Sequence, residues 1–94
     1  MVADRDKVLE IRRLSRELTE VHLDAVVAYI NYHDWKVRLE VTKALKKFID
    51  GAPLLQVRAM GYLGSLTEDI HPVVRLCVFE IRRLKYAFDE KKGG

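Results

Sequence analysis

A seven-residue pattern occurs near both ends of the chain and constrains the fold more than any other feature. The segment at 8–14 reads VLEIRRL, and the segment at 78–84 reads VFEIRRL. A weaker copy, VTKALKK, occupies 41–47, which is 33 residues after the first copy and 37 before the last. Apolar residues recur in the copies at the spacing of one helix face. Self-similarity at such intervals is typical of stacked helical hairpins, so the copies predict three equivalent helices.

Start and stop signals divide the 94-residue chain into five predicted helices. Thr19 and Asp34 are expected to be N-caps, because their side-chain oxygens can accept the free N–H groups of a first helical turn. Pro53 and Pro72 fit a first turn, where a missing N–H costs nothing. Gly51 is expected to end the third helix in the left-handed conformation. The predicted helices cover 4–18, 20–32, 35–49, 53–66 and 72–89, and residues 90–94 are predicted to form a flexible tail.

The fourth predicted helix is the most apolar of the five. We therefore expect it to be buried on most sides. Gly61 and Gly64 are expected to let a neighbouring helix pack closely against it. No segment combines strand-like alternation with a hairpin turn signal, so the predicted fold is a single all-α domain over 1–94. The apolar residues of the fourth helix are Leu54, Leu55, Val57, Met60, Leu63 and Leu66.

Two groups of residues, at 37–45 and at 69–81, carry short motifs that resemble the HEAT-like (armadillo-type) α-helical repeat, and the resemblance covers most of the chain. The resemblance implies a five-helix antiparallel right-handed α-solenoid of about two and a half helical hairpins. It also implies a binding surface or a scaffold, and each hairpin needs a neighbour to cover its apolar face. The matching residues are Val37-Arg38-Leu39 with Ala44-Leu45, and Asp69 followed by Pro72, Val74-Arg75 and Ile81.

The bulk composition predicts a soluble cytoplasmic protein. Hydrophobic residues make up 49% of the chain and charged residues 33%, which is a globular composition. The 17 basic residues are interleaved with 14 acidic ones, so the net charge of +3 does not by itself indicate nucleic acid. A lone cysteine, Cys77, cannot form an intramolecular disulfide. The low content of Asn and Gln is typical of a thermophile.

Three arginines occupy matching positions in the three equivalent helices: Arg5, Arg38 and Arg75. They predict either a basic ladder that binds a phosphate or carboxylate, or structural ion pairs. We favour ion pairs, because Arg38 lies among apolar positions of its helix and a buried charge needs a partner. Asp34 and Asp69 are the candidate partners. Structural contacts between repeats are therefore assigned to Asp34, Arg38, Asp69 and Arg75.

A second matched column, Arg13, Lys46 and Arg83, predicts a basic face for an anionic partner. If that partner were nucleic acid, phosphate contacts would dominate and the affinity would fall steeply with salt. The alternative is a solvated face, because acidic residues are interspersed with these bases at helix spacing. The wider set of candidate residues adds Arg12, Arg16, Lys43, Lys47 and Arg82.

The fifth predicted helix is apolar nearly all the way round. Surplus apolar surface on a terminal helix predicts self-association or docking of another protein. The alternative is that the helix packs against the preceding hairpins and buries everything within the domain. The candidate partner-binding residues are Val78, Phe79, Tyr86 and Phe88.

The sequence offers no motif for catalysis, for a metal or for a cofactor. His22, His33 and His71 lie near predicted corners, and none belongs to a His-x-x-x-His or His-Glu pair, so the di-iron enzymes among helical-repeat proteins are not a match. Cys77 is expected to fill the core. The sequence therefore predicts a non-enzymatic protein-interaction or assembly module whose partner is another protein or a second copy in a homodimer, with a nucleic-acid-binding module as the alternative. Neither a membrane nor a small-molecule substrate is expected.

Overall fold

The computed structural model consists of five α-helices, and it describes the backbone of residues 2–93 and the side chains of residues 4–84. Two short 3-10 turns, Pro53–Leu55 and Leu66–Glu68, flank the fourth helix. The described residues thus form an all-α five-helix domain, as predicted. The helices are α1 (Val2–Leu14), α2 (Glu20–Val27), α3 (Trp35–Gly51), α4 (Gln56–Ser65) and α5 (Pro72–Gly93).

Side-chain caps fix the starts of α2 and α3. The Thr19 hydroxyl accepts the backbone N–H of His22 at 3.3 Å, and the Asp34 carboxylate accepts that of Lys36 at 2.8 Å. Both predicted N-caps are confirmed, and each satisfies a donor that the helix itself leaves unpaired.

Two helices end earlier than predicted. α1 ends at Leu14 instead of residue 18, where the Ser15 hydroxyl donates to the carbonyl of Arg12 at 3.1 Å. A serine that bonds to the backbone of the preceding turn competes with helix continuation. α2 ends at Val27 instead of residue 32, because the chain tightens into successive turns in which an N–H bonds to the carbonyl three residues earlier.

Gly51 has a different role from the predicted one. No glycine among the described residues has a positive φ, and α3 runs through Gly51 to a C-cap at Ala52. A Cβ built at Gly51 would lie only 2.5 Å from Cδ1 of Leu18. The segment between α1 and α2 thus approaches α3 closely at a residue that has no side chain.

The core surrounds α3, which packs against each of the other four helices. Phe48 and Leu45 are fully buried on α3, and Ile11 of α1 and Val74 of α5 are buried against the same core. Burial of such side chains contributes about 1.5–3 kcal/mol each. α3 is therefore the central element of the fold.

The prediction that α4 is buried on most sides is wrong. Leu54 is 97% exposed and Val57 is 84% exposed. A Cβ at Gly61 or Gly64 would meet no atom within 4 Å, so no neighbour packs closely there. α3 is the main helical neighbour of α4, and Arg58 of α4 makes ion pairs with Glu20 and with another carboxylate of α2. One packed face leaves the other apolar residues of α4 in solvent.

α5 extends to Gly93, beyond the predicted end at residue 89. The predicted tail at 90–94 lies outside the residues whose side chains the structure describes. Within residues 2–93, none of the helices is both long enough and apolar enough to cross a membrane.

Candidate interaction surfaces

Arg38 and Asp69 form an ion pair inside the protein. Nε of Arg38 lies 2.7 Å from Oδ2 of Asp69, and Nη2 lies 3.1 Å from Oδ1. Nη1 donates to the backbone carbonyls of Tyr32 and His33 at 2.7 and 3.1 Å. The two side chains are only 9% and 5% exposed. Arg38 therefore ties the corner before α3 to the corner before α5, which is a structural role and leaves its guanidinium little room for a ligand.

Asp69 carries several of the contacts that shape the corner before α5. Its carboxylate also accepts the backbone N–H of His71 at 2.9 Å, and its carbonyl accepts Nη1 of Arg75 at 2.6 Å. Burial alone would raise the pKa of the Asp69 carboxyl, but the hydrogen bonds from Arg38 and from the His71 N–H outweigh it, so the pKa lies below its ordinary value. Asp69 is thus ionised at neutral pH.

The three matched arginines do not share one environment. Arg38 is buried, Arg75 is exposed at the corner, and Arg5 is exposed on α1. Asp34 makes no ion pair with Arg38, because its carboxylate caps α3. The hydrogen bond from the Lys36 N–H lowers the pKa of the Asp34 carboxyl. A continuous ladder of these arginines on one surface is therefore absent from the described residues.

The predicted basic column is exposed, but each of its three members lies beside an acid of its own helix. Lys46 Nζ lies 2.9 Å from Asp50, and Arg83 Nη2 lies 3.0 Å from Glu80. In α1, Arg13 Nη2 is 4.0 Å from Oε1 of Glu10. Exposed pairs of this kind are weak and can open. They nonetheless reduce the local positive potential that a nucleic acid would meet.

The wider basic set divides in a similar way. Arg12 Nε lies 2.6 Å from Oε1 of the buried Glu40, and Lys47 Nζ donates to the Ser15 hydroxyl at 3.3 Å. Arg16 and Lys43 are exposed and have no ion pair with a described carboxylate. Most residues of the predicted basic column and of the wider basic set therefore interact with other residues of the same chain.

The outward side of α5 carries four exposed apolar residues, which we call the α5 face: Val73, Leu76, Phe79 and Leu84. Phe79, one of the predicted partner-binding residues, is 62% exposed. Two other predicted members, Tyr86 and Phe88, lie outside the side chains that the structure describes.

Val78 was wrongly assigned to the partner-binding face of α5. It is 1% exposed and lies in the core. With Val74 and Ile81 it forms the buried stripe, at a spacing of four and three residues, that packs towards α3. The side chain of Val78 is therefore not accessible to a partner protein.

Cys77 is half-buried and packs against the core. Burial raises the pKa of its thiol, and the positive charge of Lys43 offsets only part of that effect. The thiolate is the nucleophilic form, so this environment suppresses reactivity at neutral pH.

A groove of about 710 Å³ lies between α1 and α3. The sequence does not reveal this groove directly, because the groove is formed by two helices together and by neither alone. Its signal in the sequence is a pair of stripes in which cations flank apolar residues at helix spacing, near 5–12 and near 36–43. The lining residues that matter most are Val8, Leu9 and Leu39 in the apolar part and Arg5, Lys36 and Lys43 among the charged ones.

The described histidines lie at the corners, as the sequence indicates. His71 stacks on Trp35 with ring centroids 4.0 Å apart, and Nε2 of His33 lies 3.6 Å from Asp4. Nδ1 of His22 lies 2.6 Å from the Thr19 hydroxyl. Among the described side chains, no group of three His, Cys, Asp or Glu residues is close enough to hold a metal ion.

Comparison with known proteins gives no match: no family model, no curated protein and no solved structure is significantly similar to this chain.

Proposed function

We propose that the chain is a non-enzymatic protein-interaction or assembly module that self-associates through the α5 face. The observation that carries this proposal is the α5 face itself, four exposed apolar residues on one helix at the edge of the domain. Large exposed apolar patches mark interaction sites in soluble proteins. α5 packs mainly against α3 and the turn Leu66–Glu68, so its outward side has no neighbour within the described chain.

We further infer that the five helices are a right-handed α-solenoid of HEAT-like hairpins. Positions matched by the seven-residue pattern support this inference, since Ile11, Ala44 and Ile81 are all buried. The corners before α3 and α5 also use the same chemistry, because Asp34 and Asp69 each accept the N–H two residues further on. In a solenoid, the outward side of a terminal helix is the surface on which the next unit or a second copy would pack.

Sedimentation velocity over a range of concentrations tests self-association. We expect a monomer–dimer equilibrium for the wild type, and a shift to monomer for Leu76→Lys and for Phe79→Lys, because each places a charge in the proposed interface. The matched control is Leu54→Lys in the 3-10 turn before α4, which makes the same leucine-to-lysine change at a more exposed residue. A wild type that stays monomeric at high concentration, or a Leu54→Lys variant that dissociates equally, would refute the role of the α5 face.

Nucleic-acid binding through Arg13, Lys46 and Arg83 is the second candidate. The observation in its favour is that all three side chains are exposed. The acids beside them weigh against it. A gel shift at low salt with single-stranded and double-stranded DNA and RNA tests it, and no retardation would eliminate it.

A further inference from the structure

We infer that the groove between α1 and α3 binds an acidic peptide segment with apolar side chains, contributed by a partner protein. The inference rests on the proposed role as an interaction module. The groove is a different surface from the α5 face, and the acidic peptide would belong to a second partner.

The groove is built from two facing stripes. On α1, Arg5 and Arg12 flank Val8 and Leu9, and on α3 Lys36 and Lys43 flank Leu39, all of them lining the same cavity. Residues spaced by three, four and seven positions lie on one side of a helix. Leu9 is 49% exposed, so apolar surface is open to a ligand along the groove.

The acids that line the groove are already engaged by the chain. Asp4 accepts the Tyr32 hydroxyl at 3.0 Å, and Asp34 accepts the backbone N–H of Lys36 at 2.8 Å. Glu40 is buried and accepts Nε of Arg12 at 2.6 Å. Each of these three carboxylates is therefore partly compensated by a donor of the chain itself.

Within the described part of the chain, the remaining cations of the groove make no direct ion pair, although the charge of Lys36 acts on the neighbouring Asp34 carboxylate. Among the described side chains, no carboxylate lies within ion-pair distance of Arg5, Lys36 or Lys43. Lys36 instead lies over the ring of Trp35, at 6.0 Å from its centroid. A groove with an apolar floor and unpaired cations at both ends matches a ligand that combines apolar side chains with carboxylates.

Other occupants match the groove less well. A nucleic acid would leave the aliphatic floor at Leu9 and Leu39 without a partner, and no aromatic ring lines the groove for base stacking. Over the part of α5 whose side chains the structure describes, a second copy exposes Arg75 and Arg83 against one exposed acid, Glu80. It would bring a net positive charge towards the cations of the groove, and like charges across an interface are unfavourable. An acidic peptide avoids both conflicts.

Selection from a library of random peptides tests the inference without assuming a sequence. The full chain is immobilised and exposed to displayed peptides of about 12 residues. A peptide of this length is longer than the groove, because the seven helical residues along α1 or α3 span roughly 10 Å. We expect the enriched peptides to be acidic and to carry Leu, Ile or Phe. Enrichment of neutral or basic peptides, or no enrichment above a blank surface, would overturn the inference.

The binding site is located with two variants of matched charge change. For the most enriched peptide, fluorescence anisotropy should show that Lys43→Glu weakens binding about tenfold or more, because it replaces an attraction by a repulsion. Arg16→Glu makes the same change of charge on an exposed residue outside the groove and should alter the affinity less than about threefold. Equal effects of the two variants would show that only the overall charge of the protein matters, and would overturn the assignment of the binding site to the groove.

The apolar floor of the groove is tested separately from its charged residues. Leu9→Ser should weaken peptide binding several-fold, and a version of the peptide with Gln in place of Glu should bind more weakly and lose its dependence on salt. Heparin and double-stranded DNA serve as competitors that carry charge without apolar side chains. If either competes as well as the unlabelled peptide, the groove is only a polyanion site and the inference is wrong.

Failure of this inference can be told apart from failure of the proposed self-association. Lys43→Glu should leave the sedimentation behaviour unchanged, and Phe79→Lys should leave peptide affinity unchanged. Self-association without selective peptide binding would remove only the groove proposal. Peptide binding by a strictly monomeric chain would remove only the α5 proposal.

Discussion

The central helix α3 and the edge helix α5 carry copies of one sequence pattern and have different surroundings. α3 packs against four helices, and its Phe48 is fully buried. α5 packs mainly against α3 and one 3-10 turn, and its Phe79 is largely exposed. The pattern therefore fixes which side of a helix faces the core, whereas the number of neighbours decides how much of the remainder is covered.

The charged residues repeat this contrast. Arg38 on α3 is buried and makes a bidentate ion pair with the Asp69 carboxylate, whereas the side chain of Arg75 on α5 is exposed and donates to the Asp69 carbonyl. Matching positions thus provide a structural contact at the centre and a solvated charge at the edge. Four stability measurements test whether the centre and the edge of the domain differ in this way.

The largest expected effect comes from the same substitution in the two helices. Phe48→Ala should lower the free energy of unfolding by about 4 kcal/mol, because it leaves a cavity in a close-packed core. Phe79→Ala should lower it by less than about 1 kcal/mol, because Phe79 is mostly in solvent. Urea denaturation measures both values, at a concentration low enough to avoid self-association. Equal losses would mean that α5 is as well covered as α3, and the comparison would fail.

Removing the buried carboxylate should have the next largest effect. Asp69→Asn should destabilise the fold by about 3 kcal/mol, because the buried Arg38 is left without a compensating charge. The control is Asp24→Asn, which removes an exposed acid that pairs with Arg58 at 2.6 Å and should change stability much less. Thermal unfolding monitored by circular dichroism compares the two. If Asp69→Asn resembled its control, Arg38 would have to be satisfied by the carbonyls of Tyr32 and His33 alone.

Acid should weaken the same corner. The pKa of Asp69 is lower in the folded chain than its ordinary value, so its carboxylate stabilises the fold above the unfolded pKa of about 4. That stabilisation is lost as the pH falls through the folded pKa. The wild type should therefore lose stability more steeply than Asp69→Asn between about pH 5 and pH 2. Parallel pH profiles of unfolding free energy would show that Asp69 contributes nothing to acid sensitivity.

Local signals predicted the helices well, because capping and helix periodicity depend on neighbouring residues. Thr19 and Asp34 cap the helices assigned to them, and the five helices occur in the expected order. Helix ends were less predictable. The end of α1 depends on the Ser15 hydroxyl and on the approach of Leu18 to Gly51, which is a contact between segments far apart in sequence.

The candidate surfaces were harder to predict, because exposure depends on the arrangement of the helices. Hydrophobicity alone indicates a buried α4, yet Val57 of α4 is 84% exposed, and Leu54 in the turn before it is almost wholly in solvent. Val78 was placed on the wrong side of α5, because a helix that is apolar all round does not reveal which stripe faces the core. The groove between α1 and α3 exists only because these two helices pack side by side, and neither segment of the sequence shows that packing. Of the charged contacts, Arg38 with Asp69 was among the two pairings considered, since a buried charge demands a partner.

The smallest expected effect compares two helical glycines, one against the centre of the fold and one at its edge. Gly61→Ala should raise the free energy of unfolding by about 0.5–1 kcal/mol, because alanine favours the helix and its Cβ would meet no atom within 4 Å. Gly51→Ala should give no such gain, since its Cβ would lie 2.5 Å from Leu18. Urea denaturation of both variants against the wild type measures the difference. Destabilisation by Gly61→Ala would mean that α4 has a neighbour in solution, and the edge of the domain would then be as closely packed as its centre.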